Sequence, residues 1–299
     1  MKFPHLLLRA MVPVILVAPL GLHAQVFSHD FTQDPSGAPP SPFYTLASSS
    51  GTSVTVVNGT GLELNQTGTG KVNEEFAQFI TPTPITLATV GDYITFTAGF
   101  NGSAFSGNNG ALLAGLYNTM GTVATGNLVN NATGGATADD QGYFGMLGLN
   151  TGAGNANKFY SRTGGASDAN ELGYYSSMTS GSYAQVGSSF TAPGNANLAN
   201  STAYTLTYTV TKGASGNTIT AEILQGATVE DNWSVTDASS TYNSFDELMI
   251  GFYSKSTALS GNITSVAITD SIAVVPEPAT CVLAGVGMLI LALWRRARR

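Results

Sequence analysis

The chain has 299 residues, with 18 Asp and Glu against 11 Lys and Arg, and a single Cys. Only 10% of it is charged, far below the roughly 25% of an ordinary soluble domain. Gly, Ser, Thr and Asn supply 120 residues, 40% of the chain; as poor helix formers they exclude a helical bundle or a coiled coil, while 43% hydrophobic content excludes disorder.

In chain order the first segment is apolar. Lys2 and Arg9 precede an uncharged run to Leu22, and Ala24 closes it. This is the layout of a secretory signal peptide over residues 1–24, cleaved after Ala24. Its shortness, with Pro13 and Pro19 inside it, tells against a permanent anchor.

Residues 25–272 read as one β-sandwich domain. Short apolar alternations between turn-rich stretches predict strands at 53–57, 61–64, 76–80, 92–100, 111–117, 143–149, 158–162, 248–253 and 262–269. The segment 72–80 also fits one face of a short helix, but Pro82 and Pro84 favour an extended chain. The clearest pair is 204–211 with 218–224. Tyr204, Leu206, Tyr208 and Val210 alternate with four threonines, and Ile219, Ala221 and Ile223 repeat the pattern after a turn cluster at 212–217. Ten or more strands predict an all-β, antiparallel two-sheet sandwich of jelly-roll type. Gly91-Asp92-Tyr93-Ile94-Thr95-Phe96, the Gly145-Met146-Leu147-Gly148-Leu149 run, the hairpin's Tyr204-Thr205-Leu206-Thr207-Tyr208 and the closing Ile263-Thr264-Ser265-Val266-Ala267-Ile268 resemble a concanavalin-like (laminin-G-like) sandwich. That resemblance implies a glycan-binding role, although a fold alone does not license one.

Without the two ends the body carries 17 acidic and 5 basic residues, a net charge of −12. Phosphate binding needs clustered Lys and Arg, so nucleic acid is not an expected partner. After removal of the signal peptide His29 is the one histidine left, and Cys281 lies in the C-terminal apolar run. A His/Cys zinc site and a Cys–His protease are therefore excluded, and a Ser–His–Asp triad would have to use His29, close to the new N-terminus. There is no Gly-x-Ser-x-Gly elbow and no nucleotide-binding glycine loop. Glu222 stands on the polar face of the hairpin with no second carboxylate at 220 or 224, which reads as a solvated side chain rather than half of a glycosidase pair. No cofactor is expected. Calcium is the one metal the loops could take, at Asp139-Asp140 or at Asp168 with Asn170 and Glu171. Trp233, in the polar setting Glu230-Asp231-Asn232, is the candidate for stacking on a sugar ring, with Tyr174, Tyr175 and Tyr183 behind it.

The C-terminal segment, 273–299, has three parts: Pro276-Glu277-Pro278, an uncharged run over 279–294 predicted as a transmembrane helix, and Arg295, Arg296, Arg298 and Arg299. At about 1.5 Å per residue the helix is slightly short for a bilayer, and the arginines resist translocation, so the body should lie on the far side of that membrane. The three parts in this order resemble the PEP-CTERM sorting signal of Gram-negative bacteria. The resemblance implies recognition of Pro276, Glu277 and Pro278 by an exosortase-type processing enzyme, in bacteria that make exopolysaccharide. The prolines keep that motif extended and outside the helix. The expectation is an exported, non-catalytic surface or matrix protein. It would be anchored through its C-terminus before processing, then reside at the cell surface or in the extracellular matrix, with extracellular polysaccharide as a possible ligand. The alternatives are a structural or adhesive protein-interaction module and an exported glycan-cleaving enzyme.

Overall fold

Apolar–polar alternation becomes extended chain along the whole body. The structure, a computed structural model, describes residues 24–47, 52–67, 71–79, 83–105, 110–122, 124–129, 135–150, 157–165, 172, 183–190, 197–239, 242–254 and 258–272. These belong to one unit, Ala24–Ile272. The first nine strands are β1 (Ala24–Asp30), β2 (Phe43–Ala47), β3 (Thr52–Val57), β4 (Gly61–Gln66), β5 (Lys71–Gln78), β6 (Ile85–Thr86), β7 (Tyr93–Ser103), β8 (Ala111–Asn118) and β9 (Leu128–Val129). The next nine are β10 (Gln141–Gly148), β11 (Asn157–Arg162), β12 (Tyr183–Phe190), β13 (Tyr204–Gly213), β14 (Gly216–Gln225), β15 (Thr228–Asp237), β16 (Ser244–Phe245), β17 (Glu247–Ser254) and β18 (Leu259–Asp270).

They form two large sheets. The first runs β15-β14-β13-β7-β18-β4-β3, with β1 also paired to β18; the second runs β12-β11-β10-β8-β17-β5-β2-β9. Strands β6 and β16 make a small third pair. Pairing is antiparallel apart from the short β2–β9 contact. The chain passes between the two large sheets repeatedly, directly at β1–β2, β2–β3, β4–β5, β7–β8, β12–β13 and β17–β18 and by way of β6 and β16 at β5–β7 and β15–β17, as a jelly roll requires. The fold is the expected all-β antiparallel sandwich. The predicted transmembrane helix and signal peptide lie outside the described residues, apart from Ala24.

Every predicted strand is present, with shifted ends. Residues 76–78 of the predicted strand belong to β5, which starts earlier, at Lys71, ends at Gln78 and is extended rather than helical. The hairpin turn is tighter than 212–217: Gly213 pairs with Gly216, leaving two residues in the loop. Gly216 has φ +140, and a Cβ there would lie 2.0 Å from the Asp237 carbonyl oxygen, so glycine is required.

The core lies between the sheets. Phe96, Phe100, Leu206, Tyr208 and Ile268 of the first meet Leu112, Leu116, Leu248, Ile250 and Phe252 of the second. A separate apolar layer, with Phe76, Leu113, Phe144, Met146, Tyr160 and Met249, covers the other face of the second sheet. Strands β8 and β17 are thus buried on both faces, which explains their nearly continuous apolar runs.

One ionisable group sits inside the main core. Glu75 lies on the Ala77 side of β5, opposite Ile250 and Thr45, and is fully buried. Burial raises its carboxyl from 4.5 to about 8, against the influence of the Thr45 hydroxyl. A folded-state pKa above the unfolded one means that the folded chain holds the extra proton. Its contribution is complete below pH 4.5 and is lost as pH rises to about 8. Glu75→Gln should therefore leave the melting temperature near pH 4 almost unchanged and raise it at pH 8 by roughly 5–10 °C. Thermal melts of both proteins across that range check this; an equal change at both pH values would refute it.

A second test concerns sheet-to-sheet packing. A Cβ on Gly261 would come 2.2 Å from the Phe252 ring. Gly261→Ala should cost about 1–3 kcal/mol by overpacking. The double variant with Phe252→Leu should lose less than the sum of the single changes, as read from denaturant midpoints.

Candidate functional site

Hydroxyls and amides pave the outer face of the first sheet, because the residues alternating with the core are almost all Thr, Ser and Asn. One row of register partners is Thr269–Thr95–Thr209–Thr220–Ser234, and the next is Ala267–Thr97–Thr207–Glu222–Asn232. Neighbouring hydroxyls bond across the strands: Thr95 with Thr209 at 2.9 Å and Thr220 with Ser234 at 3.3 Å. At the other end Ser53, Asn65, Ser260 and Ser103 form a further row, and the Asn262 amide donates to Asn101 Oδ1 at 2.9 Å. Glu222 lies between Thr207 and Asn232. Glu63 of β4 is four strands away from β14, roughly 19 Å at about 4.8 Å per strand. That is too far for two carboxylates to act on one glycosidic bond.

The second sheet brings together acids that are distant in sequence. Asp140 lies immediately before β10, and Glu247 opens β17, opposite Gln78 and Tyr117. Both are buried and lie close enough for each to influence the other's ionisation, and none of their four carboxyl oxygens has a hydrogen-bond partner. Burial pushes both upward; Asp140 raises Glu247 further, while Glu247 and the Arg162 charge partly offset the rise at Asp140. Glu247 therefore stays protonated well above the usual carboxylate range. Both side chains are fully buried, which leaves no opening for the sugar that a glycoside hydrolase pair must flank.

Arg162, at the end of β11, is fully buried beside them. Its Nη1 donates to the Asp140 carbonyl at 2.6 Å, Nη2 to the Ala138 carbonyl at 3.1 Å and Nε to the Tyr183 hydroxyl at 3.1 Å. Asp139 accepts from the Thr122 hydroxyl at 3.2 Å. Asp246 accepts from the Thr119 amide at 2.8 Å and hydroxyl at 2.9 Å.

This arrangement does not fit the calcium expected at Asp139-Asp140. The guanidinium donates to the Asp140 and Ala138 carbonyls, and burial holds the Asp140 carboxyl above the usual carboxylate range. Among the described residues no three His, Cys, Asp or Glu side chains are placed to hold a metal. The other calcium candidates, Asp168, Asn170 and Glu171, lie outside the described residues. Sequence reasoning picked out Asp140 but not Glu247 or Arg162; the signal available was an Asp246-Glu247 pair directly before an apolar run.

Trp233 is a correction. It was expected at a sugar-contacting surface but is 4% exposed, on the inner side of β15 beside Ala221. The strand alternates strictly, with Asp231, Trp233, Val235 and Asp237 buried and Asn232, Ser234 and Thr236 exposed. The flanking acids made a core position look polar. Tyr183 sets its ring against Phe144, edge to face at 5.8 Å, and near Arg162, so it braces the acid cluster. Tyr174 and Tyr175 lie outside the described residues. His29, the one histidine of the body, pairs with Asp34 at 2.7 Å and packs on Phe31 and Phe43.

The sorting candidates Pro276, Glu277, Pro278, Arg295, Arg296, Arg298 and Arg299 also lie outside the described residues; their identity rests on sequence. No curated protein matches the chain. Among solved structures it is similar to the carbohydrate recognition domain of Emp47p (12% identity, covering 85% of this chain and 99% of that one, TM-score 0.45). It is also similar to the VIP36 exoplasmic/lumenal domain in its Ca2+/Man3GlcNAc-bound form (10% identity, 80% and 86%, TM-score 0.41). A third similar structure is arcelin-5, a lectin-like defence protein from Phaseolus vulgaris (14% identity, 82% and 97%, TM-score 0.41). Residues 274–299 match the PEP-CTERM protein-sorting motif, and the chain carries that sorting signal.

Proposed function

We propose that this is an exported, non-catalytic surface or matrix protein, delivered and processed through its tail, whose sandwich associates with extracellular polysaccharide. The observation that carries the reading is the sorting motif at 274–299, which implies export and sorting by an exosortase-type enzyme. Pro276 and Pro278 each lack a backbone donor, a sequence feature that disfavours helix at the motif and suits recognition ahead of the apolar run. The arginines hold the far end of that run in the cytoplasm until processing.

The polysaccharide part rests on the chemistry of the body. The outer face of the first sheet offers rows of hydroxyls and amides, which both donate and accept hydrogen bonds. The net charge of −12 repels acidic polymers and leaves neutral ones as the favoured class. The glycan-cleaving alternative is disfavoured by the spacing of Glu63 and Glu222 and by the full burial of Asp140 and Glu247. The adhesive alternative would use an open sheet edge, but edge strand β15 carries Glu230, Asp231 and Asp237, and like charges oppose strand addition by a second copy.

Glu277→Ala, or deletion of the four arginines, should leave the tail uncleaved or the protein in the wrong fraction. Intact masses from membrane and culture-fluid fractions read this directly, and unchanged processing in both variants would refute the tail reading. The full-length protein should also be retained by a neutral polysaccharide such as dextran and not by alginate. Retention by neither would refute the polysaccharide reading while leaving the sorting reading intact.

A further inference from the structure

Neutral polar side chains from three places converge at one end of the second sheet. Asn118 closes β8, Gln141 opens β10 directly opposite it, and Tyr242, Asn243 and Ser244 lead into the β16–β17 segment. With Met120 they line a cavity of about 300 Å³, the lower end of the range for small-ligand sites. We propose that this cavity is a binding subsite for one neutral sugar unit of a polysaccharide chain. The proposal rests on the polysaccharide reading above and gives it a location distinct from the hydroxyl face.

Among the described residues the lining carries no carboxylate, amine, guanidinium or imidazole. Three carboxamides and a hydroxyl supply donors and acceptors in the mixture that adjacent sugar hydroxyls need. One of those groups lacks a partner: Asn243 Oδ1 is buried and accepts no hydrogen bond. Apolar contact for the C–H side of a sugar comes from Met120, which is 54% exposed, and from the Tyr242 ring. That ring is held edge to face on Tyr143 at 5.4 Å.

The walls are fixed independently of any ligand. Asp246 clamps Thr119 through its backbone amide and its hydroxyl, between Asn118 and Met120. Asn118 Oδ1 accepts from the Met120 amide at 2.8 Å. The Tyr242 carbonyl accepts from Asn217 Nδ2 at 2.7 Å, and the Asn243 carbonyl accepts from the Leu87 amide at 2.7 Å. Ser244 is paired to Thr86 through their hydroxyls at 2.9 Å. A site so braced loses little entropy on binding.

The test is affinity electrophoresis of the full-length protein in gels containing dextran, with free glucose, galactose, mannose and N-acetylglucosamine as competitors. The proteins compared are wild type, Asn243→Leu, Gln141→Ala and the face variant Thr207→Ala/Thr209→Ala, each with a melting curve. At least a tenfold loss of retention in Asn243→Leu or Gln141→Ala, with melting unchanged and the face variant still retained, supports the pocket. So does release of wild type by one of the free sugars when the face variant responds in the same way. Retention of both pocket variants at the wild-type level, with loss in the face variant, overturns the pocket and keeps the polysaccharide reading. No retention of wild type overturns both.

Discussion

The body has no thiol and few charges, so the interface between its two sheets has to hold it together. Neither a disulfide nor a network of ion pairs is available to share that task. The interface meets it with large side chains on both sides: Phe96, Phe100 and Tyr208 against Leu248, Ile250 and Phe252. The fit is tight enough that Gly261 cannot carry a Cβ without displacing the Phe252 ring. A body stabilised in this way must keep any acid it buries neutral or matched. Glu75 is kept neutral by its surroundings, and Glu247 by its surroundings and by Asp140. The buried carboxyls therefore follow from the core and cost stability as pH rises.

The outer side of the second sheet solves the same problem differently. Arg162 enters a layer of apolar and aromatic side chains and spends its donors on two carbonyls and a tyrosine hydroxyl, while its charge faces Asp140. Removing a charge from water is expensive, and the cost is met only where every donor finds an acceptor. The result ties the 138–140 turn to β11 and β12. It also consumes the carbonyls that a metal would need, so the residues that looked like a cation site in the sequence are a structural junction. The neighbouring Asp246–Thr119 clamp extends the same junction to the end of β8.

How much could be read from sequence depended on whether a strand shows its alternation locally. Strands β13 and β14 were plain because one face is threonine and the other apolar. Strand β15 was not seen, because Asp231 and Asp237 stand at buried positions around Trp233 and disguise the period. Strands β1, β2 and β12 were missed because their phase is obscured: by a register shift between Gln25 and Phe27, by a length of five residues, and by Gly, Ser and Gln. The pairing of Asp140 with Glu247 joins positions more than a hundred residues apart and depends on the strand order β10-β8-β17, which no local pattern encodes. The sorting tail was legible for the opposite reason. Its three parts are contiguous, and their meaning depends on order along the chain rather than on folding.

The topology links the body to that tail. Strand β18, the last of the described chain, is central to the first sheet, pairing with β7, β4 and β1. Without it, β7 has no partner on that side, β4 and β3 are detached, and β1 has nothing to pair with. The first sheet cannot be completed until residues 259–270 are available. Strand β1 starts at Ala24, opposite Asp270, at the point where signal-peptide cleavage is expected. The first sheet therefore closes only once nearly all of the described chain is present, and the residues that match the sorting motif, 274–299, follow directly in sequence. A chain with such long-range pairing is slow to fold, and export in the unfolded state is compatible with that order of events: the last strand to arrive is the one that joins the first.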